Sequence, residues 1–176
     1  GEEVRTNRYF VQARLTDFCG NYSRSLAYHS ALLAGDEWNG AWQLDNPGFI
    51  VYRHGFAGVT LTNAEVKVTV SQGYRGELVV EASRDGLVWK EVGRLGPMTG
   101  TVPALPLETN HPPEVFPTSE VWVRLCTTGS LLIGGYEFDA ALPVDLPDAE
   151  GATWFFESDL IWDAALPAAR TLTPYG

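Results

Sequence analysis

The chain has 176 residues, 45% of them hydrophobic and 19% charged, with 18 Gly and 11 Pro. That length suits one domain with a sizeable core, and the composition excludes a disordered chain while favouring strands and turns. A formal net charge of −10 argues against nucleic acid, which needs a basic face, and disfavours anionic membranes and sulfated polymers, so a neutral or weakly charged partner fits best. No apolar run approaches the roughly 20 residues of a membrane-spanning helix, so no membrane partner is expected. Gly1-Glu2-Glu3 reads as the start of a mature chain. Cys19 and Cys126 are the only cysteines, which leaves either one disulfide or two free thiols.

In chain order, residues 9–15 read as a first strand. Residues 17–48 are rich in Gly, Asn, Asp, Ser and aromatics without a steady period, and read as a long decorated segment with a short helical turn near Ser30 to Ala34. Phe49 to Tyr52 and Gly58 to Thr62 then read as strands. Glu65 to Val70 alternates cleanly, with Val66, Val68 and Val70 on one face and Glu65, Lys67 and Thr69 on the other.

A hairpin follows. Leu78, Val80 and Ala82 alternate with Val79, Glu81 and Ser83, and Asp85-Gly86 supplies a turn in which Gly86 takes a positive φ. Residues 96–119 form a Pro-, Gly- and Thr-rich excursion. Glu120 to Leu125 alternates again, with Val121, Val123 and Leu125 inward and Trp122 and Arg124 outward. Leu131 to Leu142 and Thr153 to Trp162 read as further strands. Many short strands separated by turns predict an all-β, jelly-roll β-sandwich. The division is a decorated segment over 8–48, a core sandwich over 49–142, and a C-terminal strand and tail over 143–176, all one domain.

The pattern Ser83-x-Asp85-Gly86-x-x-Trp89, with Trp122-Val123-Arg124 after it and Gly134-Gly135-Tyr136-Glu137-Phe138-Asp139 as a closing strand, resembles galactose-binding-like β-sandwiches. That group includes discoidin-type domains and carbohydrate-binding modules. The early aromatic and Asp-Gly elements of discoidin domains are missing here, so the likeness is nearer to accessory modules of polysaccharide-degrading enzymes. The resemblance implies glycan recognition, a secreted, extracellular or periplasmic address, and a Trp89 ring lying on the core. It also implies that a structural calcium is worth seeking, at Glu137 and Asp139 on one face of the closing strand.

A sugar offers apolar C–H faces ringed by hydroxyls, so its site needs flat rings beside amides, carboxylates or guanidinium groups. Trp38 and Trp42, with Asp36, Glu37, Asn39 and Gln43, supply that mixture in one loop; the rival reading has both indoles plugging an open end of the sandwich. Trp122 and Arg124 supply it on a sheet face near Glu81 and Lys67 unless another segment covers them. Arg75, just before the hairpin, is a further candidate donor. The three histidines lack metal-ligand spacing, and no nucleophile motif appears. The expectation is a non-catalytic carbohydrate-binding module that holds an attached or partner enzyme near its glycan. Its alternative is a structural or interaction sandwich, packed on a catalytic neighbour, that binds no sugar.

Overall fold

The computed structural model describes residues 2–5, 8–15, 25–34, 41–55, 60–96, 104–108 and 115–142. Twelve strands fill most of these: β1 (Glu2–Arg5), β2 (Arg8–Arg14), β3 (Leu26–His29), β4 (Leu32–Ala34), β5 (Ala41–Asp45) and β6 (Gly48–Gly55) come first. After them come β7 (Asn63–Arg75), β8 (Leu78–Ser83), β9 (Lys90–Leu95), β10 (Ala104–Glu108), β11 (Glu120–Thr127) and β12 (Ser130–Ala141). The described residues contain no helix. The all-β sandwich is therefore as expected.

The strands make two antiparallel sheets. One has five strands in the order β3-β6-β11-β8-β9. The other has seven and is built around β12, which pairs along one edge with β7, itself paired with β10. Along its other edge β12 pairs with β2 through residues 135–141 and with β5 through residues 130–133. β1 and β4 extend these two arms.

Alternation decides what lies between the sheets. Val66, Val68 and Val70 of β7, Leu78, Val80 and Ala82 of β8, and Val121, Val123 and Leu125 of β11 are all fully buried. Each large aliphatic side chain so buried is worth about 1.5–3 kcal/mol against exposure. Aromatic rings fill the centre: Tyr52 of β6 stacks on Tyr136 of β12 with centroids 3.8 Å apart, and His54 stacks on Phe138 at the same distance. The chain passes from the seven-stranded sheet (β5) to the five-stranded one (β6) through Asn46-Pro47. Gly48 opens β6, where a Cβ would collide with the Asp45 carbonyl oxygen.

Three expectations need correcting. The segment 17–48 is not a strand-free decoration: its described part contains β3, β4 and β5, and the helical turn expected near Ser30 to Ala34 is replaced by β4. These strands are only three to five residues long and owe their form to their partners, β6 for β3 and the β4–β5 pairing. The excursion 96–119 likewise holds β10, paired to β7. Of the strand expected over Gly58 to Thr62, the described part makes only an isolated bridge between Leu61 and Thr118. The strand expected over Thr153 to Trp162 lies outside the described residues.

Candidate functional site

Asp36, Glu37, Trp38 and Asn39 lie outside the described residues. Trp42 and Gln43 are described, and they part company. Trp42 is 3% exposed, with its ring 4.3 Å from that of His29, so this indole has no open face for a ligand. Gln43 points the other way and donates from Nε2 to Asp45 Oδ2 at 2.9 Å. For Trp42 the structural reading is the one that fits its burial. Arg75 ends β7 opposite Ser130, and its side chain lies outside the described ones.

Glu137 and Asp139 sit on the outer face of the seven-stranded sheet. Arg8 Nε donates to Asp139 Oδ1 at 2.8 Å, an interaction that raises the Arg8 pKa. Gln12 Nε2 donates to Glu137 Oε1 at 2.9 Å, and Lys67 Nζ lies 3.9 Å from Glu137 Oε2 and 3.4 Å from Glu65. Calcium takes six to eight oxygen ligands. Two carboxylates already engaged by cations and an amide do not fit that requirement, and no metal-binding group of three or more His, Cys, Asp or Glu exists among the described residues.

The outer face of the five-stranded sheet is different. Inward Val121, Val123 and Leu125 force Trp122, Arg124 and Cys126 outward on β11, as the alternation requires. Arg124 Nε donates to Glu81 Oε2 of β8 at 2.6 Å, and its guanidinium lies 4.2 Å from the Trp89 ring centroid. Burial works against the Arg124 charge, but the Glu81 hydrogen bond and the nearby Cys126, Glu81 and Tyr28 outweigh it and raise its pKa. Lys67 is not part of this group; it belongs to the other sheet, since β7 pairs with β12 and β10.

Trp122 is half-buried. Its Nε1 donates to Glu120 Oε1 at 2.6 Å, and Arg53 lies 5.4 Å from its ring centroid. Another contact comes from Gly86, where an added Cβ would stand 3.1 Å from Cδ2 of the indole. Trp122 is therefore a fixed wall of the face. Trp89, expected on the core, is instead only partly buried, on this outer side over Arg124.

The hairpin turn explains why. Asp85 Oδ1 accepts from the backbone N–H groups of Leu87 and Val88 and from the Ser83 hydroxyl, while Ser83 Oγ accepts from Asp85 N and Gly86 N. The Val88 and Leu87 amides, then the Ser83 hydroxyl, lower the Asp85 pKa. Gly86 adopts φ +71°, the left-handed region that a side chain disfavours. So tied, the turn carries Leu87 and Val88 into solvent, 82% and 64% exposed, and sets Trp89 down beside β11.

Tyr28 of β3, 47% exposed, completes the face, edge-on to Phe49 of β6 with centroids 5.7 Å apart. Cys126 carries a free thiol, pushed up to about 12 chiefly by burial and then by Glu81; Cys19 lies outside the described residues. Sequence reasoning found Trp122, Arg124 and Glu81 but missed Tyr28, Arg53 and the outward Trp89. The Ser83–Asp85–Gly86 turn was the available signal for Trp89.

No protein-family model matches the chain, and no curated protein matches it. Solved structures do. The CBM36-1 domain of a multidomain xylanase from the hindgut metagenome of Trinervitermes trinervoides is 11% identical with a TM-score of 0.43, over 73% of this chain and 95% of that one. The carbohydrate-binding module CBM36 in complex with calcium and xylotriose is 16% identical with a TM-score of 0.42, over 73% and 98%. An exo-beta-1,3-galactanase from Phanerochaete chrysosporium is 10% identical with a TM-score of 0.46; this chain covers 29% of it, under a third of that enzyme's length. The first two neighbours are carbohydrate-binding modules. Likeness at this distance assigns neither a family nor a ligand to the chain.

Proposed function

We propose that this chain is a non-catalytic carbohydrate-binding module whose ligand lies on the outer face of the five-stranded sheet. One observation carries the reading: the Arg124 guanidinium, held by Glu81 and laid over the Trp89 ring on a partly exposed sheet face. The Arg124 and Glu81 side chains keep 29% and 20% of their exposure. Arg124 uses Nε for Glu81, and its Nη groups have no acceptor among the described residues, so they are placed to donate to sugar hydroxyls. Glu81 Oε1 is the complementary acceptor. Trp89 supplies the flat apolar surface that sugar C–H groups need.

On this proposal the module is secreted and tethers an attached or partner enzyme to a polysaccharide. Even a weak contact then raises the enzyme's effective concentration at its substrate. The test is calorimetry of the chain and of Arg124→Ala against a panel of neutral soluble glycans. Binding to at least one glycan, weakened about tenfold or more in the variant, is the expected outcome. Equal binding by both proteins would remove this face as the site.

The exposed tip Leu87-Val88 favours a second reading, an interaction domain that packs on a catalytic neighbour. Under that reading a Leu87→Asp/Val88→Asp variant loses its protein partner, and no glycan on the panel binds.

A further inference from the structure

We infer that the ligand is an internal stretch of an extended neutral glycan, about four residues long, lying across the strands of the five-stranded sheet rather than a single chain end. The inference rests on the carbohydrate-binding reading and adds to it the length, orientation and charge of what is bound. Its basis is the register. Tyr28 pairs with Val51, Val51 with Arg124, Arg124 with Glu81, and Glu81 with Glu91. These five residues form one lateral row from the β3 edge to the β9 edge of the outer face.

The row offers solvent-reachable groups at every position but one. At one end stands the exposed Tyr28 ring. Val51 beside it is fully buried under its neighbours, so a ligand crossing the row passes over it without contact. Arg124 and Glu81 present a donor and an acceptor in the middle, with Trp89 over Arg124. At the other end Glu91 is bound by Arg94 at 2.6 Å. Arg124 and Glu81 cancel each other, and Glu91 shares Arg94 with Glu77, so the row has no excess positive charge, which suits an uncharged ligand on a chain whose net charge is −10.

Five strands leave four gaps of about 4.8 Å, so the row is about 19 Å long. A pyranose ring in an extended chain advances by a length comparable with one such gap. A single terminal sugar touching Arg124 and Trp89 would leave Tyr28 idle, whereas a chain crossing the row reaches both.

The experiment is a length series: oligomers of β-1,4-linked glucose, xylose and mannose and of β-1,3-linked glucose, from one to six residues, titrated into wild type and Tyr28→Ala. Tyr28 is exposed, so the variant is expected to fold. Affinity should rise at least tenfold from the disaccharide to the tetrasaccharide of the recognised series and then level off. Tyr28→Ala should weaken tetrasaccharide binding about five- to tenfold, the loss of one ring contact, and leave disaccharide binding unchanged. Equal affinity for one and four residues, or a tetrasaccharide indifferent to Tyr28→Ala, would overturn the row while leaving the module a sugar binder. No binding at any length in any series would instead remove the carbohydrate reading itself.

Discussion

Two clusters in this molecule both set aromatic rings against basic groups and reach opposite ends. Between the sheets, Tyr52, His54, Tyr136 and Phe138 stack with their basic group completely buried. On the outer face, Trp89, Trp122, Arg53 and Arg124 pair rings with cations that keep some contact with water. Burial drives the inner imidazole to its neutral form, with a pKa lowered to about 3, while the outer guanidinium stays charged beside Glu81. The inner cluster makes the sandwich hold together; on the proposed reading, Arg124 of the outer one serves a glycan. Aromatic content alone does not mark a binding site. The marker is a ring together with a polar group that still has bonds to make at the surface.

The largest expected effect separates the two clusters directly. Tyr136→Ala removes a ring that is 1% exposed and should cost about 3–5 kcal/mol, a Tm drop on the order of 10 °C. Trp89→Ala should change the Tm by less than about 3 °C, since a partly exposed cation–π pair contributes only about 0.5–1 kcal/mol, yet weaken glycan binding. Thermal melts of both variants beside calorimetry check this, and a Tm loss for Trp89→Ala as large as that for Tyr136→Ala would erase the distinction.

A smaller effect is expected from pH. His54 donates to or accepts from Tyr136 Oη at 2.7 Å through Nε2, while its Nδ1 and the Tyr52 hydroxyl are buried without partners. The folded-state pKa lies below the ordinary value of 6.5, so as pH falls through 6.5 the unfolded chain takes up a proton that the folded chain refuses. Stability is thus fully present above about pH 6.5 and declines towards pH 3, by about 2 kcal/mol between pH 6.5 and 5 from this group. Urea titrations at these two pH values should show that decline in wild type and a shallower one in His54→Phe. An equal slope in both would mean that the imidazole is not the group titrating.

Gly86→Ala should cost about 1–2 kcal/mol of stability, because alanine resists φ +71°. Its new Cβ also meets the Trp122 ring, so the variant's tryptophan fluorescence in the folded state should shift as well. An unchanged spectrum would show that the turn does not hold that wall in place.

How much of this was legible beforehand follows from how far each residue's position is set locally. Val66, Val68 and Val70, or Val121, Val123 and Leu125, announce a buried face by alternation alone, and the outward direction of Trp122 and Arg124 follows from it. The strands β3, β4 and β5 carry no such signal: in Ala41-Trp42-Gln43-Leu44 both Ala41 and Trp42 are buried, which breaks the period. Tyr28 belongs to the outer face only because β3 pairs with β6 through a register shift. Trp89 was misassigned because its direction depends on a turn whose hydrogen bonds run from Ser83 to Val88, a matter of three-dimensional closure rather than of spacing.

The central place of β12 has a consequence for how the chain matures. Its hydrogen bonds join β2, β5 and β7, yet it is the last strand described, so the larger layer stays in unjoined pieces until residues 130–141 have been synthesised. Partners such as Arg14 and Gly135 lie far apart along the polypeptide, and closing such long loops slows folding. A nascent chain halted before Ser130 would expose the flanks of β2 and β7 to each other's copies, making late translation the period of greatest risk for aggregation.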